Sequence, residues 1–386
     1  MMSKKVAREI SSQILKTDRS ILLLGPRQTG KSTLIQALEP ELKINLARQN
    51  EFLRYSSQID LFTDQIESSK AKTIFVDEIQ RIPELLNSIQ ALIDDAKDVR
   101  PLRFFLTGSS ARKLKRGGAN LLPGRIFTYH LGGFCARELS YQVDAQRALK
   151  FGLMPEPYLS DDPEFSIKFL MDYSATYLKE EIQAEALARD IQGFARFLVT
   201  MAQAAGSVLD YSKLAKKAKV ARSSVVRFTE ILEDTLVAYR VPPFEKAEKA
   251  DSIRHSKLYF FDVGVLNGLL ENFSVSVDRI GTLFEHFFIN QLKNSAYAQD
   301  LPIKIEFFRT RHGLEVDFIV TLKEKTWAIE VKAGDVSSSD LGGLKGFREY
   351  YPQVDHCVAV SLRETRRVTD GILICDWLTL LQEMGL

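Results

Sequence analysis

A glycine-rich segment near the start of the chain has the residue types and spacing of a phosphate-binding loop. It fits the pattern G-x-x-x-x-G-K-[ST] in full, lies directly after the apolar run 21–24, and precedes a segment expected to be helical. Glycines let the backbone curl so that its N–H groups face phosphate oxygens. We expect Lys31 to reach the β- and γ-phosphates and the Ser32 hydroxyl to bind Mg²⁺; the alternative is a chance glycine-rich turn. The predicted nucleotide-binding residues are Gly25, Pro26, Arg27, Gln28, Thr29, Gly30, Lys31, Ser32 and Thr33.

Two adjacent carboxylates end a second apolar run. Residues 73–76 read as a strand that finishes in Asp77 and Glu78. A carboxylate at such a strand tip can hold Mg²⁺ through water, which is the role expected of Asp77. Glu78 is placed to orient or deprotonate the attacking water. The alternative, an acidic strand cap at the surface, is less favoured beside a complete phosphate loop.

Two further polar positions fit phosphoryl transfer. The strand beginning at Arg103 ends in a Thr-Gly-Ser-Ser turn, so Ser109 or Ser110 is a candidate to contact the water or the γ-phosphate, although such residues also favour ordinary turns. Arg125 follows a short Pro-Gly turn and is a candidate for stabilising the transferring phosphoryl group, in this chain or in a neighbouring subunit. A structural or solvated arginine is the alternative.

A second set of chemically suggestive residues lies near the end of the chain. Asp317 opens one predicted strand, and Glu330-x-Lys332 ends the next. Alternate residues of a strand share a face, so these three side chains are expected to meet across a hairpin. Two carboxylates can hold a second divalent metal, and a lysine can activate water for phosphodiester hydrolysis. Glu285, on a helix expected to be amphipathic over 283–292, is a candidate third acid; the alternative is an acid-rich hairpin with a structural salt bridge.

The middle of the chain contains a locally basic helix pair. Residues 207–234 read as helix, turn and helix, and the part up to residue 227 carries six Lys or Arg against one acid. Such a pair can place its second helix in a groove of DNA. The alternative is a helix pair used only for packing or subunit contact. The candidate DNA-binding residues are Lys216, Lys217, Arg222 and Arg227.

The elements needed to position these residues define three regions. Strands alternating with helices over 1–150 predict an α/β domain with a mostly parallel sheet. Residues 151–275 read as helical, with a nearly unbroken helix over 164–200 that Gly193 interrupts, and with strands around 237–241 and 257–261 that could form a wing. Residues 276–386 return to a helix followed by strands at 303–308, 316–322 and 327–332.

Composition is compatible with this division. The 386 residues are 45% hydrophobic and 26% charged, with a formal net charge of +2, which excludes a uniformly basic protein but not a local basic surface. Three cysteines cannot build a disulfide framework, and no apolar run is long enough for a membrane span. We therefore expect a soluble cytoplasmic protein without a membrane partner.

The motifs together resemble a known family. The segments GPRQTGKST, FVDEIQRIPELL, FFLTGSS and LPGRIFTYHL look like those of prokaryotic AAA+ superfamily ATPases that carry an uncharacterised C-terminal region. The resemblance implies ATP and Mg²⁺ as ligands, and a sheet in which the loop strand and the Asp77 strand flank the sensor strand. It implies Walker A roles for Lys31 and Ser32, and Walker B roles for the two acids. It also implies a sensor role for Ser109 or Ser110 and an arginine finger at Arg125, with alternatives at Arg112, Arg116 and Arg137.

The C-terminal constellation resembles a second family. A helix acid, a strand Asp and a Glu-x-Lys look like the PD-(D/E)XK, or restriction-endonuclease-like, core, although Val316 stands where that pattern has proline. Three functions remain open at this point. One is an ATP-hydrolysing protein, in one copy or as a homo-oligomer, that acts on DNA or RNA through the basic helices and the nuclease-like domain. The second is an ATP-dependent regulatory switch that binds DNA or a protein partner without cleaving, and the third is a nuclease in which the ATP site only gates assembly.

Overall fold

Short apolar runs that end in polar turns form the first sheet. The computed structural model describes residues 6–96, 98, 100–110, 123–177, 190–245 and 255–386. The five strands are parallel, in the order β2-β3-β4-β1-β5. Strand β4, which the candidate sensor serines follow, therefore lies between the loop strand β1 and the Asp77 strand β3, as the family resemblance implied. The strands are β1 (Ser20–Leu24), β2 (Leu42–Asn45), β3 (Thr73–Asp77), β4 (Arg103–Gly108) and β5 (Ile126–His130).

Both faces of this sheet are covered by apolar side chains. Ile21 and Leu23 of β1 pack in one cluster, while Leu22 and Leu24 pack in another on the opposite face. That arrangement explains why β1 is apolar at successive positions rather than alternating. The helices of this region are α1 (Ile10–Leu15), α2 (Lys31–Gln36), α3 (Gln49–Ser57), α4 (Asp60–Ser69) and α5 (Leu85–Asp95), with a 3-10 helix at Ile79–Arg81.

The middle region is built from helices and one two-stranded sheet. The antiparallel pair joins β6 (Ala238–Val241) to β7 (Lys257–Phe260) at the positions expected for a wing. The predicted helix pair is present as two helices, with Leu214, Val225 and Phe228 buried as expected. The helices are α6 (Ala145–Phe151), α7 (Pro155–Leu159), α8 (Pro163–Asp172), a π-helix (Tyr173–Tyr177), α9 (Ile191–Gln203), α10 (Tyr211–Ala218), α11 (Arg222–Asp234) and α12 (Val263–Leu269).

The expected interruption at Gly193 is wrong. Helix α9 begins at Ile191, and the Asp190 side chain caps it by accepting a hydrogen bond from the Gly193 N–H at 2.7 Å. Gly193 is thus in the first turn rather than at a break, because the helix start is set by the cap three residues earlier. Residues 178–189, which fell inside the same predicted helix, lie outside the described residues.

A six-stranded mixed sheet dominates the last region. Its order is β12-β13-β11-β10-β9-β8, with an antiparallel meander of β8 to β10 and with β10, β11 and β13 parallel. The strands are β8 (Ile303–Arg309), β9 (Glu315–Leu322), β10 (Lys325–Lys332), β11 (His356–Ser361), β12 (Arg367–Thr369) and β13 (Ile372–Asp376). The helices are α13 (Ile280–Ala298), α14 (Gly342–Tyr350) and α15 (Trp377–Met384), with a 3-10 helix at Ser338–Leu341.

Helix α13 is the central helix of the molecule. It is longer than expected and is buried on most of its sides, so the expectation of an amphipathic helix is wrong. One apolar cluster runs through the middle helices, α13 and one face of the last sheet, which explains the extra burial. Within the described ranges, no helix is long and apolar enough to cross a bilayer.

Candidate nucleotide site and acid cluster

The glycine-rich loop folds tightly against the end of the parallel sheet. Gly30 has φ +92°, in the left-handed region that glycine adopts without strain, and α2 begins directly after it. A Cβ on Gly25 would lie 2.0 Å from the Leu131 carbonyl oxygen, so this position requires glycine. The buried Lys31 ammonium donates hydrogen bonds to the carbonyl oxygens of Gly25 at 2.9 Å and Pro26 at 2.7 Å. The lysine is therefore held inside the curve of the loop.

The carboxyl ends of three strands converge on Asp77. The Ser32 hydroxyl donates to Asp77 Oδ1 at 2.9 Å, so the structure brings together the two predicted metal-binding residues. Thr107, at the end of β4, also donates to Asp77 Oδ1, and its oxygen accepts a hydrogen bond from the Glu78 N–H at 3.3 Å. Thr107 was not assigned this contact from the sequence. The buried Asp77 is thus positioned by helix α2 and by strand β4.

Glu78 is turned out of the strand by its backbone. Its φ of 60° and ψ of 45° are left-handed values, uncommon for a non-glycine residue. Its Oε2 accepts a hydrogen bond from Gln80 Nε2, and the Arg27 guanidinium lies 3.8 Å away. Gln80 Nε2 also donates to the Ser109 hydroxyl at 3.0 Å. Ser109 is therefore linked to Glu78 through Gln80, and Ser110 beside it is buried.

The residues at this site fit a magnesium ion. Mg²⁺ prefers oxygen ligands and is usually held by one or two protein side chains together with substrate phosphates. Ser32 supplies a hydroxyl and Asp77 a carboxylate, 2.9 Å apart and directly beside the loop. This donor set suits Mg²⁺ bound with a nucleotide.

Arg8 is a loop contact that the sequence did not reveal. Its Nη1 donates to the Thr29 carbonyl oxygen at 2.7 Å, and its Nη2 donates to the Gly132 carbonyl oxygen at 2.9 Å. Its Nε is paired with Glu138 at 2.9 Å. Arg8 therefore fixes the loop to the segment that follows β5. No motif marks an arginine so far from its partners along the chain.

Arg125 lies at the amino end of the strands, whereas the loop lies at their carboxyl end. Strand β5 runs parallel to β1, with Ser20 paired to Ile126 and Leu24 to His130, so Arg125 is level with the start of β1. The five residues of β1 span roughly 16 Å. Its guanidinium is paired with Asp94 at 2.7 and 2.9 Å. Arg125 is thus not brought to the phosphate site of its own chain.

The other candidate arginine fingers do not decide the assignment for or against Arg125. Arg137 pairs with Glu9 at 3.2 Å, on the side of the sheet where Arg8 lies. Arg112 and Arg116 lie outside the described residues. The finger therefore stays a prediction.

The helix pair presents its cations to solvent. Asp210 caps α10 by accepting from the N–H groups of Ser212 and Lys213, and Lys219 ends it in a left-handed conformation. The apolar side chains face inward and the charged ones are exposed; we call these exposed cations together the basic face. Its members are Lys213, Lys216, Lys217, Lys219, Arg222 and Arg227, all exposed.

The structure also brings the C-terminal candidates together. Asp317 lies beside Glu330 across β9 and β10, and its Oδ2 accepts from the Val331 N–H at 2.8 Å. Lys332 pairs with Glu330 at 2.8 Å. Burial, with Glu285 and Glu330 nearby, raises the pKa of Asp317 well above its ordinary value; burial also raises the pKa of Glu330. We call Glu285, Asp317 and Glu330, with the adjacent Glu315, the acid cluster.

A lysine from the middle region enters this cluster. The buried Lys257 ammonium of β7 lies 3.0 Å from Glu315 Oε1 and 3.5 Å from Glu285 Oε1. Two residues on, the Tyr259 hydroxyl donates to Glu285 Oε1 at 2.5 Å. Burial alone would lower the pKa of Lys257, but Glu285, Asp317 and Glu315 outweigh it and raise that pKa. The lysine is therefore charged.

The predicted second metal site is not assembled as expected. In the described part of the chain, no group of three or more His, Cys, Asp or Glu residues is arranged to hold a metal ion. Glu285 contacts Lys257 and Tyr259, Glu330 pairs with Lys332, and Asp317 accepts from the Val331 N–H. The sequence pattern could not show this, because Lys257 and Tyr259 lie in a different region of the chain.

Comparison with known proteins agrees with the nucleotide site. Residues 17–140 match a family model described as an AAA domain. Residues 142–276 and 280–378 match two models described only as domains of unknown function, DUF8612 and DUF4143. Uncharacterized proteins of Mycobacterium tuberculosis (Rv2008c) and Mycobacterium bovis (Mb2031c) are each 26% identical over 319 residues, covering 81% of this chain and 70% of the relative.

Solved structures show weaker likenesses. Thermotoga maritima RuvB aligns with a TM-score of 0.30 and 15% identity, covering 61% of this chain and 86% of that chain. The replication initiator DnaA bound to AMPPCP and single-stranded DNA aligns with a TM-score of 0.29 and 10% identity, covering 60% and 89%. Scores this low carry no argument about fold or function. The AAA match and the parallel sheet support a P-loop ATPase domain at the start of the chain.

Proposed function

We propose that the chain binds ATP with Mg²⁺ and hydrolyses it at the site formed by Lys31, Ser32, Asp77 and Glu78. One observation carries this proposal: the Ser32 hydroxyl and the Asp77 carboxylate meet at 2.9 Å beside the curled loop that holds the Lys31 ammonium. Nucleotide phosphates need such a combination of inward N–H groups, one lysine and a metal.

Each residue has a separate role in this proposal. Lys31 exchanges its loop carbonyls for the β- and γ-phosphates, and Ser32 and Asp77 hold Mg²⁺, which neutralises phosphate charge when bound. Glu78 accepts the proton of the attacking water, as a carboxylate next to the metal site can. Gln80 and Ser109 position Glu78, because Gln80 Nε2 contacts both.

Arg125 fits a role between subunits. It lies at the amino end of the strands, away from the loop at the carboxyl end of β1, and is half-exposed beside Asp94. A charge contribution from this residue requires a second copy whose phosphate site lies against that end of the sheet. The homo-oligomer and the finger are therefore one linked proposal.

The basic face supports a nucleic-acid partner. It gathers six exposed cations on two helices, whereas the net charge of the whole chain is only +2. Phosphate contacts by such residues release counterions and make binding depend on salt. The same helices are followed by the β6–β7 pair, an order of elements that suits a winged helix-turn-helix.

Neutralising the basic face should weaken nucleic-acid binding and flatten its salt dependence. We expect the combined Lys216→Ala, Lys217→Ala, Arg222→Ala and Arg227→Ala variant to lower the slope of log K against log salt by roughly 3, at about 0.7–0.9 per lost phosphate contact. Fluorescence anisotropy with single- and double-stranded DNA and RNA measures it. The matched control removes four exposed lysines elsewhere, Lys16, Lys43, Lys72 and Lys325. Equal slopes for both variants would reject the basic face as the binding surface.

The acid cluster favours the switch over the cutting function. Lys257, from outside the nuclease-like set, lies 3.5 Å from Glu285, one of the acids that cleavage would need for a metal. A path of contacts also joins the nucleotide loop to α13: the Leu131 N–H donates to the Leu24 carbonyl at 2.8 Å, and Gln291 bonds the Phe134 carbonyl and the Ala136 N–H just beyond. These contacts support nucleotide-dependent control of the C-terminal region.

The switch and the nuclease differ in whether the nucleic acid is shortened. Full-length protein incubated with DNA or RNA, Mg²⁺ or Mn²⁺, with and without ATP, is expected to bind without shortening the substrate. Cleavage that disappears in Lys332→Ala would instead establish the nuclease. Lys345→Ala is the control, since Lys345 pairs with Asp370 away from the cluster.

A further inference from the structure

The acid cluster lies where the middle region docks on the C-terminal sheet. Beyond β6, the chain continues along the edge strand β8: the Phe244 N–H donates to the Phe307 carbonyl at 2.8 Å, and the Phe307 N–H donates to the Pro242 carbonyl at 3.0 Å. Strand β7 is buried over its whole length. The paired strands are therefore part of the interface between these regions and are fixed by backbone hydrogen bonds.

One face of β7 is directed at the cluster. Lys257 and Tyr259 are two residues apart, so they share a face. Their polar atoms contact Glu285 and Glu315, which come from α13 and β9. The Lys257 ammonium lies over the Phe307 ring, with Nζ 5.4 Å from the ring centroid. Lys257 is thus enclosed by two carboxylates, a hydroxyl-bearing ring and an aromatic face.

A buried ammonium and a divalent cation compete for the same carboxylates. A cation close to a buried lysine would be repelled at short range in a medium that screens charge poorly. The lysine already balances part of the negative charge that would attract the ion. Its removal would leave Glu285 with the Tyr259 hydroxyl and Glu315 with Arg309, with one positive charge fewer beside the cluster. Glu330 Oε2, buried without a hydrogen-bond partner among the described residues, could then serve as a ligand.

We propose that Lys257 is the resident counter-cation of the acid cluster and keeps divalent metal ions out of it. In this proposal the acid cluster and Lys257 form an electrostatic contact between the middle and C-terminal regions. The proposal does not depend on ATP hydrolysis, since none of these residues belongs to the nucleotide site.

Counting bound Mn²⁺ tests this directly. We would titrate nucleotide-free, full-length protein at pH 8 and follow free Mn²⁺ by electron paramagnetic resonance. The unaltered chain and Asp317→Asn should bind equally, because the cluster contributes no ion in either. Lys257→Gln should bind one more ion per chain, and adding Asp317→Asn to it should abolish that gain.

The controls keep the outcome decisive. Lys304→Gln removes a lysine that pairs with Glu306 at 2.8 Å on the same sheet, and should change nothing. A folded Lys257→Gln protein without the extra ion overturns the proposal. Binding of an ion by the unaltered chain that is lost in Asp317→Asn also overturns the proposal. This second comparison tests the proposal even if Lys257→Gln does not fold.

Discussion

The Lys31→Ala variant should lose ATP turnover by at least ~10²–10³-fold, the usual effect of removing one charged or hydrogen-bonding group aimed at a developing transition-state charge. The ammonium is held at 2.7–2.9 Å from the loop carbonyls, whereas the other cation of the loop, Arg27, lies 3.8 Å from Glu78. Phosphate release measures turnover, and isothermal titration with a non-hydrolysable analogue measures binding. Both should fall.

The control for this variant is Lys16→Ala. Lys16 is exposed, lies in the same region and follows α1 rather than the loop. A Lys31→Ala protein that turns over ATP at the rate of Lys16→Ala would mean that the glycine-rich loop is not a nucleotide site.

The Glu78→Gln variant should separate binding from hydrolysis. An amide cannot accept the water proton, and loss of a general base typically costs ~10²–10⁴-fold in rate. Glutamine keeps the shape of the side chain and an oxygen that can accept from Gln80 Nε2, so the site should stay folded. We expect analogue binding near the level of the unaltered protein, with the nucleotide recovered from the variant after incubation remaining ATP.

Glu84→Gln is the matched control. Glu84 is an exposed acid that comes just before α5, and the Glu84→Gln protein should hydrolyse ATP at the rate of the unaltered protein. Full turnover by Glu78→Gln would assign the water-activating role elsewhere. Loss of binding together with turnover would make Glu78 a structural residue rather than a base.

Local patterns were enough to predict that the loop, Asp77 and Glu78 lie at the same end of the first sheet. The loop, Asp77 and Glu78 each lie at the end of an apolar strand, and parallel strands bring their carboxyl ends to one edge. The same reasoning placed Asp317, Glu330 and Lys332 together on neighbouring antiparallel strands. In both groups the chemistry of the side chains and the two-residue period of the strands predict the same arrangement, so few other arrangements of these residues fit the sequence.

Contacts between distant segments could not be predicted in this way. Arg8 and Lys257 act on partners in other regions, and nothing near them in sequence marks those partners. Thr107 belongs to the same polar segment as Ser109, but the sequence does not show which of these side chains reaches Asp77. In the structure the Thr107 hydroxyl makes that contact. The one available signal was the strand 257–260, where a lysine and a tyrosine alternate with apolar residues in a strand that proves wholly buried.

The central claim is that this chain hydrolyses ATP with Mg²⁺ at the Lys31–Asp77 site. Phosphate release from ATP by the full-length protein, measured with Mg²⁺ and with EDTA, tests it most directly, with Lys31→Ala as the blank for contaminating ATPases. We predict steady release that requires Mg²⁺ and is lost in Lys31→Ala. No release by the unaltered chain, or equal release by the Lys31→Ala variant, would contradict the claim.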